Sequence, residues 1–212
     1  MKSVLIIGAG QFGIHIAKRM AELRCEIMVV DSNEGRINSV LPYAANAQIG
    51  DSTNADFMQS LGIPDYDVCI VTISDSFQNS LETTALLKDL GAKKVISRAQ
   101  NDVQEKFLLR NGADETVYPE KQMAVRLATK EAFDDVLDVL QLDRDINIYE
   151  VRVPRAWNNR SIAELDIRRK HRLNIIAIRS ADRLIMPMPD MIVTEDDAIL
   201  IIGNIKDIQN VF

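Results

Sequence analysis

Val4-Leu5-Ile6-Ile7-Gly8-Ala9-Gly10-Gln11-Phe12-Gly13 is the stretch on which the reading of this 212-residue chain turns. Val4 to Ile7 is an unbroken apolar run, partly β-branched, as expected of a strand buried on both faces of a parallel sheet. Three glycines follow in G-x-G-x-x-G spacing, and Ile14-His15-Ile16-Ala17-Lys18-Arg19-Met20 continues with helical periodicity. In such a turn Gly8 permits the sharp bend, Gly10 lets backbone amides approach a phosphate, and Gly13 lets helix and strand pack closely. A second apolar strand, Ile27 to Val30, ends in Asp31, whose carboxylate can accept both hydroxyls of a ribose. Strand, glycines, helix, strand and acid in this order predict an adenine-nucleotide pocket at Gly8, Gly10, Gln11, Phe12, Gly13, Asp31 and Ser32.

Composition narrows the classes. Hydrophobic residues at 47% and charged residues at 26% suit a globular protein long enough for one large domain or two modest ones. A formal charge of −6 speaks against nucleic acid as a ligand, because phosphate backbones require a positive field. No apolar run reaches membrane-spanning length, and Met1-Lys2-Ser3 leads straight into a core strand, so neither anchor nor signal peptide is expected. Cys25 and Cys69 read as two buried reduced thiols, and His15 and His171 are too scattered for a zinc site.

Strands and helices alternate through the first part. Ser32–Val40 reads as a short helix and Ala44–Ile49 as a third strand, closed by Gly50-Asp51-Ser52-Thr53. Asp51 and Ser52 either cap the next helix or stand at the pocket lip; the two roles are compatible. Asp67–Ile73 is a fourth strand, Phe77–Leu90 a helix, and Lys94–Ser97 a fifth strand with Arg98 at its carboxyl end. An arginine there reaches a phosphate or stacks on adenine, or else forms a surface salt bridge. Gln104–Arg110 is helical, Glu115–Val117 a sixth strand, and Glu120–Leu140 a long amphipathic helix whose apolar stripe must be buried on its own sheet or on a partner.

The fold class is α/β: residues 1–142 form a doubly wound, Rossmann-like nucleotide-binding domain. Residues 143–212, beginning after the Leu142-Asp143-Arg144-Asp145 junction, form a small α+β domain without a phosphate loop. Its elements are a strand at Ile146–Val153, a short helix at Ser161–Leu165, a strand at Asn174–Arg179, a hairpin through Ser180-Ala181-Asp182-Arg183, and a last strand at Ala198–Ile202 before a terminal helix.

Gly8–Gly13, Gly50-Asp51-Ser52-Thr53, Asn111-Gly112-Ala113-Asp114, Tyr118-Pro119-Glu120-Lys121 and the run Asn159–Arg168 through Asn174–Ile178 resemble the RCK (regulator of K⁺ conductance) family, in particular its KtrA/TrkA-type subunits. The resemblance covers essentially the whole chain. It implies a cytoplasmic homodimer assembled into a homo-octameric gating ring, docked on an integral-membrane potassium-translocating subunit of the KtrB/TrkH type. It also implies ATP and ADP competing for the first domain, with Asp51, Ser52 and Arg98 around base and phosphate. Glu120 matches a family position for a divalent cation, Mg²⁺ or Ca²⁺; an acid in a helix's first turn also complements the dipole. Cyclic di-AMP would meet Ile162, Ala163, Arg168, Asn174, Ile176 and Pro189, although Arg168-Arg169-Lys170-His171-Arg172 also reads as a solvated helix end. Many relatives carry arginine at the position of Gln11, and neutral glutamine offers no charge-assisted phosphate contact, which keeps NAD(H) open as the nucleotide.

A non-enzymatic, ligand-gated regulator is therefore expected. The alternatives are an NAD(H)-binding redox sensor or a small NAD(P)-dependent oxidoreductase. Turnover needs a proton donor or base facing the nicotinamide, and His15 and His171 are poor candidates. A nucleotide-responsive DNA-binding repressor would need a helix-turn-helix with a basic recognition helix, which the sequence does not offer.

Overall fold

A computed structural model describes residues 1–143, 145–181 and 183–212. Arg144 and Asp182, in the expected junction and the expected hairpin, lie outside the described residues. The chain divides into two compact units, Met1–Glu120 and Lys121–Phe212.

In the first unit, β1 (Ser3–Ile7), β2 (Glu26–Asp31), β3 (Asn46–Ile49), β4 (Val68–Val71), β5 (Val95–Arg98) and β6 (Glu115–Val117) form a parallel sheet in the order β3-β2-β1-β4-β5-β6. The connections are α1 (Gln11–Glu22), α2 (Glu34–Val40), α3 (Ala55–Ser60), α4 (Phe77–Asp89) and α5 (Asp102–Arg110). The apolar runs are unbroken because both faces are covered. Leu5, Ile7, Met28, Val30, Cys69 and Val71 pack on one side, and Val4, Ile6, Ile27, Val29, Val68 and Ile70 on the other. Each such side chain contributes roughly 1.5–3 kcal/mol on burial. The strand order reverses between β1 and β4, the position where open α/β sheets hold ligands outside their carboxyl ends. Register levels the three strands there: Ile7 pairs with Val30 and with Val71, so Gly8, Asp31 and Thr72 emerge side by side.

Cys69 is fully buried in β4, and Cys25 is only half-buried, a correction to the expectation of two buried thiols; neither is in a disulfide. Desolvation pushes the Cys69 thiol from 9.0 up to about 12, partly offset by Lys88. The thiol of the unfolded chain therefore ionises first. Its contribution to stability is intact below pH 9.0 and declines as pH rises toward about 12. Thiol labelling at pH 8 should modify Cys25 in the native protein and reach Cys69 only after denaturation.

The expected helix Glu120–Leu140 is two elements. Helix α6 (Pro119–Glu131) stops, and β7 (Val136–Gln141) follows. Val136 and Val139 enter the core opposite Val151 and Tyr149 of β8 (Ile146–Arg152). This pairing groups Lys121–Leu142 with the second unit, whereas the sequence reading starts that unit at Asp143.

The remaining elements are β9 (Arg160–Ser161), α7 (Ile162–Leu165), α8 (Ile167–His171), β10 (Asn174–Ser180), β11 (Arg183–Ile185), β12 (Ile192–Val193), β13 (Ala198–Asn204) and α9 (Ile205–Gln209). A five-stranded antiparallel sheet runs β11-β10-β13-β8-β7, and β9 pairs with β12. Ser161 and Glu164 close a reciprocal capping box on α7. Tyr149, Val151, Leu173, Ile199 and Ile201 fill the core of this sheet. Among the described residues no helix is long and apolar enough to cross a membrane.

Candidate functional site

Asp31 ends β2 with 6% of its surface exposed. Its Oδ2 accepts the Ala9 N–H at 2.7 Å, and its Oδ1 accepts the Asn33 N–H at 2.8 Å. An ionised carboxylate has about four acceptor positions. The two amides take one on each oxygen and leave one on each, the arrangement that a vicinal diol requires. The Ala9 bond also ties the acid directly to the glycine turn.

The three glycines divide by what surrounds them. Gly8 has φ +103°, and a Cβ there would lie 2.7 Å from Thr72 Oγ1, which itself donates to the Gly8 carbonyl at 2.7 Å. A Cβ on Gly13 would lie 2.1 Å from the Gly8 carbonyl oxygen. These two glycines are required by the protein's own packing. At Gly10 a Cβ would meet no atom within 4 Å. Its bare backbone faces open space at the start of α1.

That start is chemically distinct. Side-chain oxygens of Asn33, Asn54, Ser76 and Asn101 cap α2, α3, α4 and α5. Helix α1 has Gly10 as N-cap, no side-chain cap and no acidic residue in its first turn. Its leading amides and the positive end of its dipole are available to an anion.

Two cavities meet at Gly10. The smaller, about 190 Å³, is lined by Asp31, Ser32, Asp51, Ser52 and the loop after β4. The wider, about 730 Å³, runs past Gln11, Phe12, His15, Arg98 and Glu120. Arg98 forms the salt bridge that was one of its expected roles, and it also lies over an aromatic ring that the sequence reading did not foresee. Its guanidinium lies 5.4 Å from the centroid of the Phe12 ring and is ion-paired with Glu120. The Arg98 side chain is 15% exposed, and its Nε–H has no acceptor among the described residues.

Asp51 lines the smaller cavity and accepts the Thr53 N–H at 2.9 Å and the Thr53 hydroxyl at 2.7 Å. Those two bonds hold its carboxyl below the usual range, so it stays ionised. Ser52 is buried with Oγ 2.8 Å from Thr83 Oγ1. The cap of α3 is Asn54 rather than either of them. Glu120 is half exposed and paired with Arg98; among the described residues no group of three His, Cys, Asp or Glu side chains gathers at a metal-binding geometry. Thr72, Arg36 and Asp75 also border this site, and the sequence reading did not single them out. Their signal was positional: Thr72 and Asp75 follow a parallel strand, and Arg36 stands in the first turn of the helix that follows Asp31.

In the second unit, Ile162, Ala163, Arg168, Asn174 and Pro189 border a groove of about 310 Å³. Ile176 does not; Ile175 lines it instead. The pairing of β10 with β13 shifts register between Ile175 and Ala177, and such a bulge breaks the regular alternation of faces along the strand. The N–H of Ala163 donates to the Pro189 carbonyl at 2.8 Å, holding the two rims together.

Residues 4–119 match the TrkA-N domain family and residues 148–212 the TrkA-C domain family. The chain is 36% identical to Ktr system potassium uptake protein C of Bacillus subtilis, over 98% of this chain and 95% of that protein. It is 35% identical to Ktr system potassium uptake protein A of the same organism, over 98% and 94%. Its fold is similar to that of the GsuK channel bound to NAD, with a TM-score of 0.69 at 17% identity, covering 97% of this chain and 38% of the channel chain.

Proposed function

The chain belongs to the RCK family built from TrkA-N and TrkA-C domains, together with the Ktr potassium uptake proteins, and on that premise we propose that it is a cytoplasmic, non-enzymatic regulatory subunit that gates a membrane potassium transporter in response to adenine nucleotides. The observation that carries the nucleotide reading is the contrast among the glycines. Gly8 and Gly13 serve packing, whereas Gly10 keeps open the space over an uncapped helix start. A phosphate at that start, with the ribose on Asp31, places adenosine in the smaller cavity and the terminal phosphates in the wider one, toward Arg98.

Control then follows from population shift. A regulator with two conformations is biased by whichever nucleotide binds one of them better, by at most its difference in affinity. The assembly we propose is a homodimer extended to a homo-octameric ring on a KtrB/TrkH-type subunit, with ATP and ADP as the competing ligands. Glu120 is the position we assign to Mg²⁺ or Ca²⁺, in exchange for its ion pair with Arg98. NAD(H) is the second nucleotide reading. The two free acceptor positions on Asp31 suit its ribose equally, and the GsuK channel of similar fold was solved with NAD.

Calorimetric titration of the purified protein with ATP, ADP, NADH and cyclic di-AMP, in Mg²⁺ and in Ca²⁺ buffers, tests this. Micromolar ATP or ADP binding with weak NADH is the expected result. Tight NADH with no response to ATP or ADP would move the assignment to a redox sensor, and steady NAD(P)⁺ turnover with hydroxy acids would overturn the regulator reading.

The groove at Arg168 is the site proposed for cyclic di-AMP, with the guanidinium for phosphate and the apolar rim for adenine. Arg168→Ala should abolish cyclic di-AMP binding and leave ATP binding intact. Retained cyclic di-AMP affinity would remove Arg168 from the site.

A further inference from the structure

The smaller cavity is an acidic place for an anionic ligand. Asp31, Asp51 and Asp75 line it, and among the described residues Arg36 is the cation that does so. Three carboxylates repel the phosphates of a nucleotide whose nucleoside end sits among them. Arg36 stands where its single positive charge offsets part of that repulsion. From α2, its Nη1 lies 3.6 Å from Asp31 Oδ2, while Nη1 and Nη2 both lie 3.3 Å from Asp75 Oδ2 in the loop after β4. The guanidinium thus joins the two walls of the cavity. It also borders the wider cavity, so its charge faces both the nucleoside end and the phosphate end.

The distances decide between compensation and competition. At 3.6 Å the contact to Asp31 is an ion pair longer than a hydrogen bond, and the oxygen's remaining acceptor position is not consumed by it. The closer, hydrogen-bonding contacts go to Asp75. We infer that Arg36 is the charge-compensating residue of this pocket: it pairs with Asp31 and Asp75 and offsets part of their charge while leaving the ribose-binding positions of Asp31 open, and so lowers the penalty that the cavity's carboxylates impose on adenosine phosphates relative to the uncharged nucleoside. This rests on the nucleotide reading above and adds the residue that lets the site tolerate the charge of its ligand. Because Arg36 is half exposed, solvent and salt screen its effect.

The test grades the ligand's charge. Adenosine, AMP, ADP and ATP are titrated into the wild type, Arg36→Gln, Asp75→Asn and the double variant, at low and at physiological salt. For Arg36→Gln we expect ATP affinity to fall about tenfold at low salt, AMP less, and adenosine within about twofold. Asp75→Asn in the same chain should restore most of the loss by removing the carboxylate left uncompensated. The difference between ATP and adenosine should shrink in physiological salt.

Equal losses for adenosine and ATP would overturn the inference in favour of direct contact with the nucleoside. Tighter binding by Arg36→Gln would show competition for Asp31 and overturn it as well, as would unchanged affinities or a double variant no better than Arg36→Gln. Thermal melts of all four proteins identify any variant lost to unfolding, and for such a variant Arg36→Lys, which keeps the charge, must retain the wild-type ordering of ligands. A wild type that binds none of the four overturns the nucleotide reading itself, and this inference with it.

Discussion

Gly13→Ala should lose upwards of about 3 kcal/mol of folding stability. The new Cβ would sit 2.1 Å from the Gly8 carbonyl oxygen, a backbone atom rather than the end of a flexible side chain. That carbonyl also accepts from Thr72 Oγ1, so moving it disturbs the junction of β1, β4 and α1. Gly10→Ala is the matched control. Its Cβ meets nothing, and the cost is that alanine is a poorer N-cap than glycine, so stability should fall by about 1 kcal/mol. Nucleotide affinity should nevertheless fall about a hundredfold, because the methyl group fills the space through which a phosphate approaches the helix amides. Denaturant melts and calorimetry on the two variants measure both quantities. If Gly10→Ala bound ATP and ADP as the wild type does, the phosphate would have to lie elsewhere.

Asp31→Ala should weaken ATP, ADP and NADH together by roughly a hundredfold, since two hydrogen bonds to a charged acceptor at about 1.5 kcal/mol each are lost to every ligand that carries the adenosine ribose. The same variant leaves the amides of Ala9 and Asn33 without their carboxylate, so some stability goes with it. Thermal melts with saturating ligand separate the two effects. A ligand-specific loss, with one nucleotide unaffected, would take Asp31 out of the shared part of the site.

Much of the first unit was legible because its signals are local. Unbroken apolar runs at Val4–Ile7, Ile27–Val30 and Val68–Val71 belong to strands buried on both faces, and the structure confirms both faces covered. The glycine spacing and Asp31 were read correctly as neighbours, since a short parallel βαβ unit leaves little freedom in where its two strand ends emerge. The misread segment, Glu120–Leu140, shows the limit of periodicity. Val136, Leu137 and Leu140 fit a helical stripe on spacing alone, and only pairing with β8 makes the segment a strand. The groove in the second unit is bordered by Ile175 rather than Ile176, next to a register shift in β10 that depends on the partner strand.

What the amino-acid sequence determined by itself was the doubly wound unit, the strand-end placement of Asp31 and Arg98, and the resemblance of the whole chain to one family. These follow from residue types and from spacings of a few positions along the chain. The tertiary structure alone decided which glycine faces open space, which acceptor positions on Asp31 remain, and that Arg36 and Asp75 close on the same cavity from opposite walls. Those outcomes depend on distances of a few ångströms between segments 39 positions apart, as Arg36 and Asp75 are. Such distances are fixed by the register of β1, β2 and β4 in the sheet, which no single stretch of sequence carries.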